Sequence, residues 1–304
     1  MLGSQFIKIR TTGICLVLAA GLFLASCSGL NYVDVSSTNQ NSRINYLVLH
    51  ATSENFAESL RLLSTRNRGP VSAHYLVPFL EDPTYSRDDL RVYRLVDESR
   101  RAWHAGVSQW GPEQSLNNRS VGIEVVNTFK CEEFEDLTGV TSVEVMECSF
   151  PIYPQAQIDL LVELIVEVLE RHPGIDPIDV VGHADIAPSR KSDPGPEFPW
   201  KQLHDRGIGA WYDPETVVRY ANELGRHPPS ILNLQCALSS YGYPIENSGV
   251  HDLQSQFAFR AFQLHFRPSN YSGQLDTETA AILYALNDKY RANDQVSCES
   301  TSES

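Results

Sequence analysis

The sequence predicts an α/β fold, a mixed central β-sheet flanked by helices, followed by a small helical unit. Three observations carry this reading. Between residues 44 and 226, short β-branched or apolar runs alternate with segments of helical period, the pattern of an α/β layer. Residues 155–172 place Ile158, Leu161, Leu164, Ile165, Val168 and Leu169 on one face and turn Glu163, Glu167 and Glu170 away. From 230 to 298 the pattern is helical, with Leu253, Phe257, Phe259, Phe262 and Phe266 on it. A chain of 304 residues with 42% hydrophobic content is long enough for about two domains and a sizeable core.

The first segment is of another kind. Lys8 and Arg10 lead into an apolar run at 14–24, too short to span a bilayer comfortably, and small residues follow. Leu24-Ala25-Ser26-Cys27 resembles a bacterial lipoprotein signal. That resemblance implies a signal peptide at 1–26, cleavage before Cys27 and acylation of Cys27. Acyl chains contributing about 0.8 kcal/mol per buried methylene would hold the soluble body to a membrane surface. Ser28 is not aspartate, and the sorting rule of such lipoproteins then implies the periplasmic face of the outer membrane. Residues 27–43, rich in Ser, Thr and Asn from Asn31 onward, read as a tether.

The formal net charge is −14, and losing residues 1–26 removes two cations and no acid. So acidic a chain is not built for nucleic acid. No segment points to an obligate protein partner. After Cys15 and Cys27, four cysteines remain, Cys131, Cys148, Cys236 and Cys298. An even count in an exported chain predicts two disulfides, and sequence order favours Cys131 with Cys148 and Cys236 with Cys298. A thiolate metal cluster is the rival, but no Cys-x-x-Cys pair is present.

Taken in order, residues 44–50 form an apolar strand ending in His50. Ser53 then stands as cap to a helix carrying Phe56, Ser59, Leu60 and Leu63. Residues 71–78 and 91–96 are strand-like, and a Trp-His-Ala-Gly turn follows at 103–106. His74 and His104 are candidate ligands by residue type, more in keeping with scaffold or substrate contact. Residues 120–127 form a strand whose single acid, Glu124, lies in an apolar run. A carboxylate there is costly unless paired, protonated or working, so Glu124 reads equally as a buried structural partner or a catalytic base. Residues 130–151 turn acidic and irregular, with Cys131 and Cys148 near the ends, as in a disulfide-closed surface insertion. After the helix at 155–172, Pro173-Gly174 is a stop, 179–181 a short strand, and 214–224 a further helix. The first domain ends near 226, giving domains at 44–226 and 230–298.

The stretch 182–196 concentrates the chemistry. It carries His183, Asp185, Arg190, Lys191 and Asp193, and its prolines and glycines predict a loop rather than a helix. His183, like His50, sits where a core strand ends. As residue types, Asp185 and Asp193 serve equally well as a carboxylate ligand beside two histidines, and the bare pattern does not choose between them.

With these residues in view, the chain resembles the zinc-dependent N-acetylmuramoyl-L-alanine amidases of the amidase_2 type over roughly residues 40–212. The resemblance rests on an ordered set: the strand-terminal His50, Ser-Ala-His-Tyr at 72–75, Trp-His-Ala-Gly at 103–106, Gly-Ile-Glu at 122–124 and Gly-His-x-Asp-Ile-Ala-Pro-x-Arg-Lys-x-Asp-Pro-Gly at 182–195. It implies an amidase_2-type mixed sheet and one Zn2+ held by His50, His183 and Asp193, a two-imidazole, one-carboxylate set that leaves a coordination position open. It also implies Glu124 as general base and Lys191 as the cation facing the oxyanion, and it leaves Asp185 to orient the loop or a ligand histidine. Arg190 is a candidate for meeting an acidic group of the stem peptide. The tail, through Phe259-Arg260-Ala261-Phe262-Gln263 and Gly273-x-Leu-Asp-x-Glu-Thr-Ala, resembles a three-helix peptidoglycan-binding domain. The expected substrates and partners are peptidoglycan and muropeptides. A non-catalytic wall-binding or anchoring lipoprotein is the alternative, and the full set of five site residues speaks against it.

Overall fold

The computed structural model describes residues 33–66, 69–131, 143 and 148–292. Cys27, the signal segment, Cys298 and most of the 131–148 insertion lie outside the described residues. Residues 33–40 are exposed, without helix or strand. From Asn41 onward the chain forms a unit of its own.

Strand β1 (Tyr46–Ala51) leads into helix α1 (Phe56–Ser64), then β2 (Tyr75–Val77) and β3 (Tyr93–Arg94). A small hairpin, β4 (Gln109–Trp110) and β5 (Glu113–Gln114), precedes β6 (Ser120–Val125), and β7 (Lys130–Cys131) pairs with β8 (Cys148–Ser149). Helix α2 (Gln155–Arg171), strand β9 (Val180–Gly182) and the short helices α3 (His183–Ile186) and α4 (Trp200–Asp205) come next. The remainder is helical: α5 (Pro214–Leu224), α6 (Ile231–Tyr241), α7 (Leu253–Phe266) and α8 (Thr277–Tyr290). Among the described residues, no helix is long and apolar enough to cross a membrane.

The main sheet runs β3-β2-β6-β1-β9, parallel except for β3, which pairs antiparallel with β2. The mixed sheet and flanking helices are those the sequence predicts. In β1, Leu47, Val48 and Leu49 are fully buried, as expected of a central parallel strand covered on both faces. Helix α2 lays Ile158, Leu161, Ile165 and Val168 into the core. Its Gln157 is also buried and donates from Nε2 to the carbonyls of Val77 (3.1 Å) and Val126 (2.8 Å), which end or follow two strands. Glu98 gathers Tyr75, Arg171 and His172, joining β2 to the end of α2. Burial opposes ionisation of Glu98, but hydrogen bonds from Arg171, Tyr75 and His172 hold its pKa down to about 2.

Several local expectations shift. Asn55, not Ser53, caps α1, its side chain accepting from the Glu58 N–H, while Ser53 takes a left-handed conformation at φ 55°. The predicted strands at 71–78 and 91–96 shorten to three and two residues. The 182–196 stretch contains a single helical turn, α3, where a loop was expected, because Asp185 reaches back to the Gly182 N–H at 2.7 Å and closes the turn. The Cys131–Cys148 disulfide is formed. Cys236 is disulfide-bonded too, and its expected partner Cys298 lies outside the described residues.

Helices α6, α7 and α8 share one core with the sheet half. Tyr241, Tyr243, Phe259, Phe262 and Phe266 lie in the same buried cluster as the strands. Helix α5, before the expected boundary, packs on α8, with Tyr220 against Tyr284 and Arg219 paired to Asp288.

Candidate metal centre and cleft

In the parallel register of β1 and β6, His50 stands directly opposite Glu124. On the other side of β1, Leu49 pairs with Gly182, so His183 begins one residue past that pair. Three chain segments thus deliver chemistry to one edge, the C-terminal ends of parallel strands, where open α/β sheets commonly leave a crevice. Asp193 returns to this edge from the loop beyond α3. The Ala184 N–H donates to the Asp193 carbonyl (2.8 Å), and the Ala51 N–H to its Oδ2 (3.3 Å).

His50 Nδ1, His183 Nδ1 and Asp193 Oδ2 converge: 3.0 Å separates the two nitrogens, 3.5 Å and 3.3 Å separate each from the oxygen. These three residues form the metal-capable group among the described residues, and all are buried. The surrounding hydrogen bonds assign the tautomers. The Ser120 hydroxyl donates to the Leu116 carbonyl (2.7 Å), so its oxygen accepts from His104 Nε2–H (3.2 Å). His104 Nδ1 then accepts from His50 Nε2–H (2.9 Å), which leaves His50 Nδ1 a bare lone pair. His183 Nε2–H faces the Ala105 carbonyl (3.3 Å), which leaves its Nδ1 bare as well. Two lone pairs and a carboxylate oxygen facing one another at this range repel unless a cation lies among them. That donor set fits a divalent metal.

Electrostatics agree. Burial, then the neighbouring His183, pushes the His50 pKa down to about 4, so its imidazole is neutral. Burial, then His50, holds His104 well below the usual histidine range. Glu124 behaves in the opposite way. Burial first, and then the Asp193 charge, raises it to about 8, with Lys191 opposing.

Glu124 and Lys191 line a cleft of about 860 Å³ together with Trp103, Phe129, His183 and Asp193. Of the candidates from sequence, the structure brings His50, Glu124, His183, Lys191 and Asp193 to this one place. Asp185 lies elsewhere, its carboxylate taken by Gly182, Tyr243 and His265. Arg190 donates to the Val107 and Ala105 carbonyls and braces the 105–107 turn, which Gly106 allows by its left-handed φ of 60°. His104 stands behind His50. His74 lies farther back, accepting from the Gly122 N–H and donating to the Arg100 carbonyl.

A family model for N-acetylmuramoyl-L-alanine amidase matches residues 40–196, more than half of the chain and all five of these residues. The chain belongs to the N-acetylmuramoyl-L-alanine amidase family. It is 38% identical over 288 residues to the N-acetylmuramoyl-L-alanine amidase AmiD of Escherichia coli K12, covering 90% of this chain and 97% of that protein. The crystal structure of AmpDh3 from Pseudomonas aeruginosa superimposes with a TM-score of 0.77 at 44% identity, over 86% of this chain and all of that one. E. coli AmiD in complex with its substrate anhydro-N-acetylmuramic acid-L-Ala-D-γ-Glu-L-Lys superimposes with a TM-score of 0.70 at 39% identity, over 84% and 93% of the two chains.

Within this amidase family member, sequence reasoning missed the supporting residues. Ser120 and the Ala105 carbonyl orient imidazoles, and Tyr243 and His265 hold Asp185. A serine in a strand and a carbonyl in a turn carry no spacing signal, and the last two lie 58 and 80 residues beyond the aspartate they contact. One signal was present in Gly122, where a Cβ would overlap the His104 ring; only a glycine there leaves room for an imidazole behind β6.

Proposed function

We propose that the chain is a zinc amidase that hydrolyses the amide between N-acetylmuramic acid and L-alanine in peptidoglycan or muropeptides. The observation that carries this is the meeting of two bare imidazole nitrogens and a carboxylate beside a half-buried Glu124 that lines the same cleft. His50, His183 and Asp193 would hold Zn2+, which supplies Lewis acidity toward the scissile carbonyl and acidifies water. Glu124 takes the proton of the attacking water and returns it to the alanine nitrogen as the carbon–nitrogen bond breaks. Lys191 sets a positive charge beside the carbonyl oxygen as negative charge develops there, a contribution worth about 3 kcal/mol for donors of this kind. His104 and Ser120 keep the His50 ring turned so that Nδ1 faces the cleft.

The complexes of AmiD and AmpDh3 with anhydromuramyl peptides support muropeptides as the substrate class. Digestion of purified muropeptides and sacculi tests the reading: stem peptides appear with the native protein, vanish after chelation and return with Zn2+. Activity unchanged by chelation would refute the metal assignment. The lipoprotein signal at 1–26 supports Cys27 as a lipid-bearing N-terminus on the periplasmic face of the outer membrane, which mass spectrometry of the mature N-terminal peptide would test. The resemblance of 230–298 to a three-helix peptidoglycan-binding domain supports a wall-binding role for the tail, tested by retention of the full chain, with Glu124 replaced, on insoluble sacculi.

A further inference from the structure

Asp185 lies two residues beyond His183, is 1% exposed, and accepts three hydrogen bonds. One comes from its own turn, the Gly182 N–H at 2.7 Å. The other two come from the helical tail: Tyr243 OH at 2.6 Å, just after α6, and His265 Nδ1 at 2.7 Å, near the end of α7. A carboxylate so placed has its oxygens filled by donors of the tail.

The same tail residues are held from several sides. The Tyr243 ring packs edge-on against Trp110 at 4.9 Å, and the Gly111 N–H donates to the Gly242 carbonyl at 2.7 Å. Gly242 itself admits the Trp110 indole, since a Cβ there would come within 2.7 Å of it. The His265 ring stacks on Trp200 with centroids 3.8 Å apart, and Trp200 in turn lies against Gly182. Tyr243 therefore touches both the turn that begins at His183 and the 104–111 loop, whose Ala105 carbonyl orients the His183 ring.

We infer that Tyr243 and His265 are positioning residues for the metal centre: the tail holds the His183 turn through Asp185, so that its docking and metal binding are coupled. The inference rests on the proposed zinc site. A tail that only bound the wall would need no buried carboxylate shared with the ligand turn. Coupling of this kind is reciprocal, so metal should also tighten the tail.

The test uses the full chain and reads metal affinity by competition with a chromophoric chelator, with the absorption spectrum of the Co2+-loaded protein as reporter of ligand geometry. Tyr243→Phe removes only the hydroxyl, and His265→Leu removes the donor while keeping an apolar body. Both are expected to bind Zn2+ about tenfold more weakly, the lower end of the cost of losing a group bonded directly to a ligand, since they act through Asp185, and to alter the Co2+ spectrum. His265→Asn returns an N–H near the position of Nδ1 and is expected to recover most of the affinity, which a merely space-filling role would not do. Hydrogen exchange in α6 and α7 should slow when Zn2+ is added to the wild type. Unchanged Zn2+ affinity and Co2+ spectrum in folded Tyr243→Phe overturn the inference whether or not His265→Leu folds. A wild-type protein that binds no Zn2+ overturns the metal reading itself, and this inference falls with it.

Discussion

Glu124 faces two demands that pull its proton in opposite directions, and both can be measured. Glu124→Gln keeps the shape and removes the proposed base, so kcat on muropeptides should fall by about 10²- to 10⁴-fold with Zn2+ content unchanged. The same variant reports on stability. In the metal-free protein the folded pKa of about 8 exceeds the ordinary 4.5, so between those values the folded state keeps a proton that the unfolded chain releases. Stability then falls as pH rises from 4.5 to 8, and Glu124→Gln abolishes that fall. Thermal scans of the metal-free proteins should show the variant melting above the parent at pH 8, with the gap closing toward pH 5. The row from His50 through His104 to Ser120 ends on the Leu116 carbonyl, which accepts but cannot pass a proton onward. It orients a ring and does not conduct protons.

At the level of elements, Gln157 shows how α2 is fastened to the sheet. Its amide donates to the Val77 and Val126 carbonyls in a site without solvent, so Gln157→Leu strips the Val126 carbonyl of that donor while Val77 keeps the Val126 N–H. A loss of about 1–3 kcal/mol in denaturant unfolding is expected, at the usual cost of an orphaned buried acceptor. Helices α2 and α5 were legible because their apolar spacing is regular and Pro173-Gly174 and Asp213-Pro214 punctuate them. Strands β2 and β3 were overestimated, because the apolar side chains around them, such as Leu95 and Leu90, pack from loops rather than from a ladder. The turn of α3 was missed because the force that winds it, a carboxylate held by Tyr243 and His265, comes from far along the chain. Likewise the residues alone left Asp185 and Asp193 equal, and only the resemblance favoured Asp193. Tertiary partners separate them: one aspartate is occupied by the tail, the other meets two imidazoles.

Over the whole molecule, two fastenings respond to solution conditions. Glu98 ties the second strand to the far end of α2, with a pKa near 2 against an ordinary 4.5, so its contribution is complete above pH 4.5 and is lost as pH falls toward 2. Glu98→Gln should cost about 1–2 kcal/mol at pH 7, after solvent screening of the partly exposed Arg171, and about a quarter of that at pH 2.5 in urea titrations. The second fastening is the proposed metal. Zn2+ at a hundredfold over its dissociation constant should add about 2.7 kcal/mol, seen as a melting temperature that climbs with metal concentration and collapses on chelation. Of the two imidazoles that would hold it, one lies on β1 and the other just past β9, neighbouring strands in the sheet, yet they are 133 residues apart in the chain. A growing or threading polypeptide therefore carries a single histidine ligand until β9 has docked beside β1. No stretch of nascent chain can sequester zinc in this geometry, and the proposed centre comes into being only after its longest-range strand pairing is made.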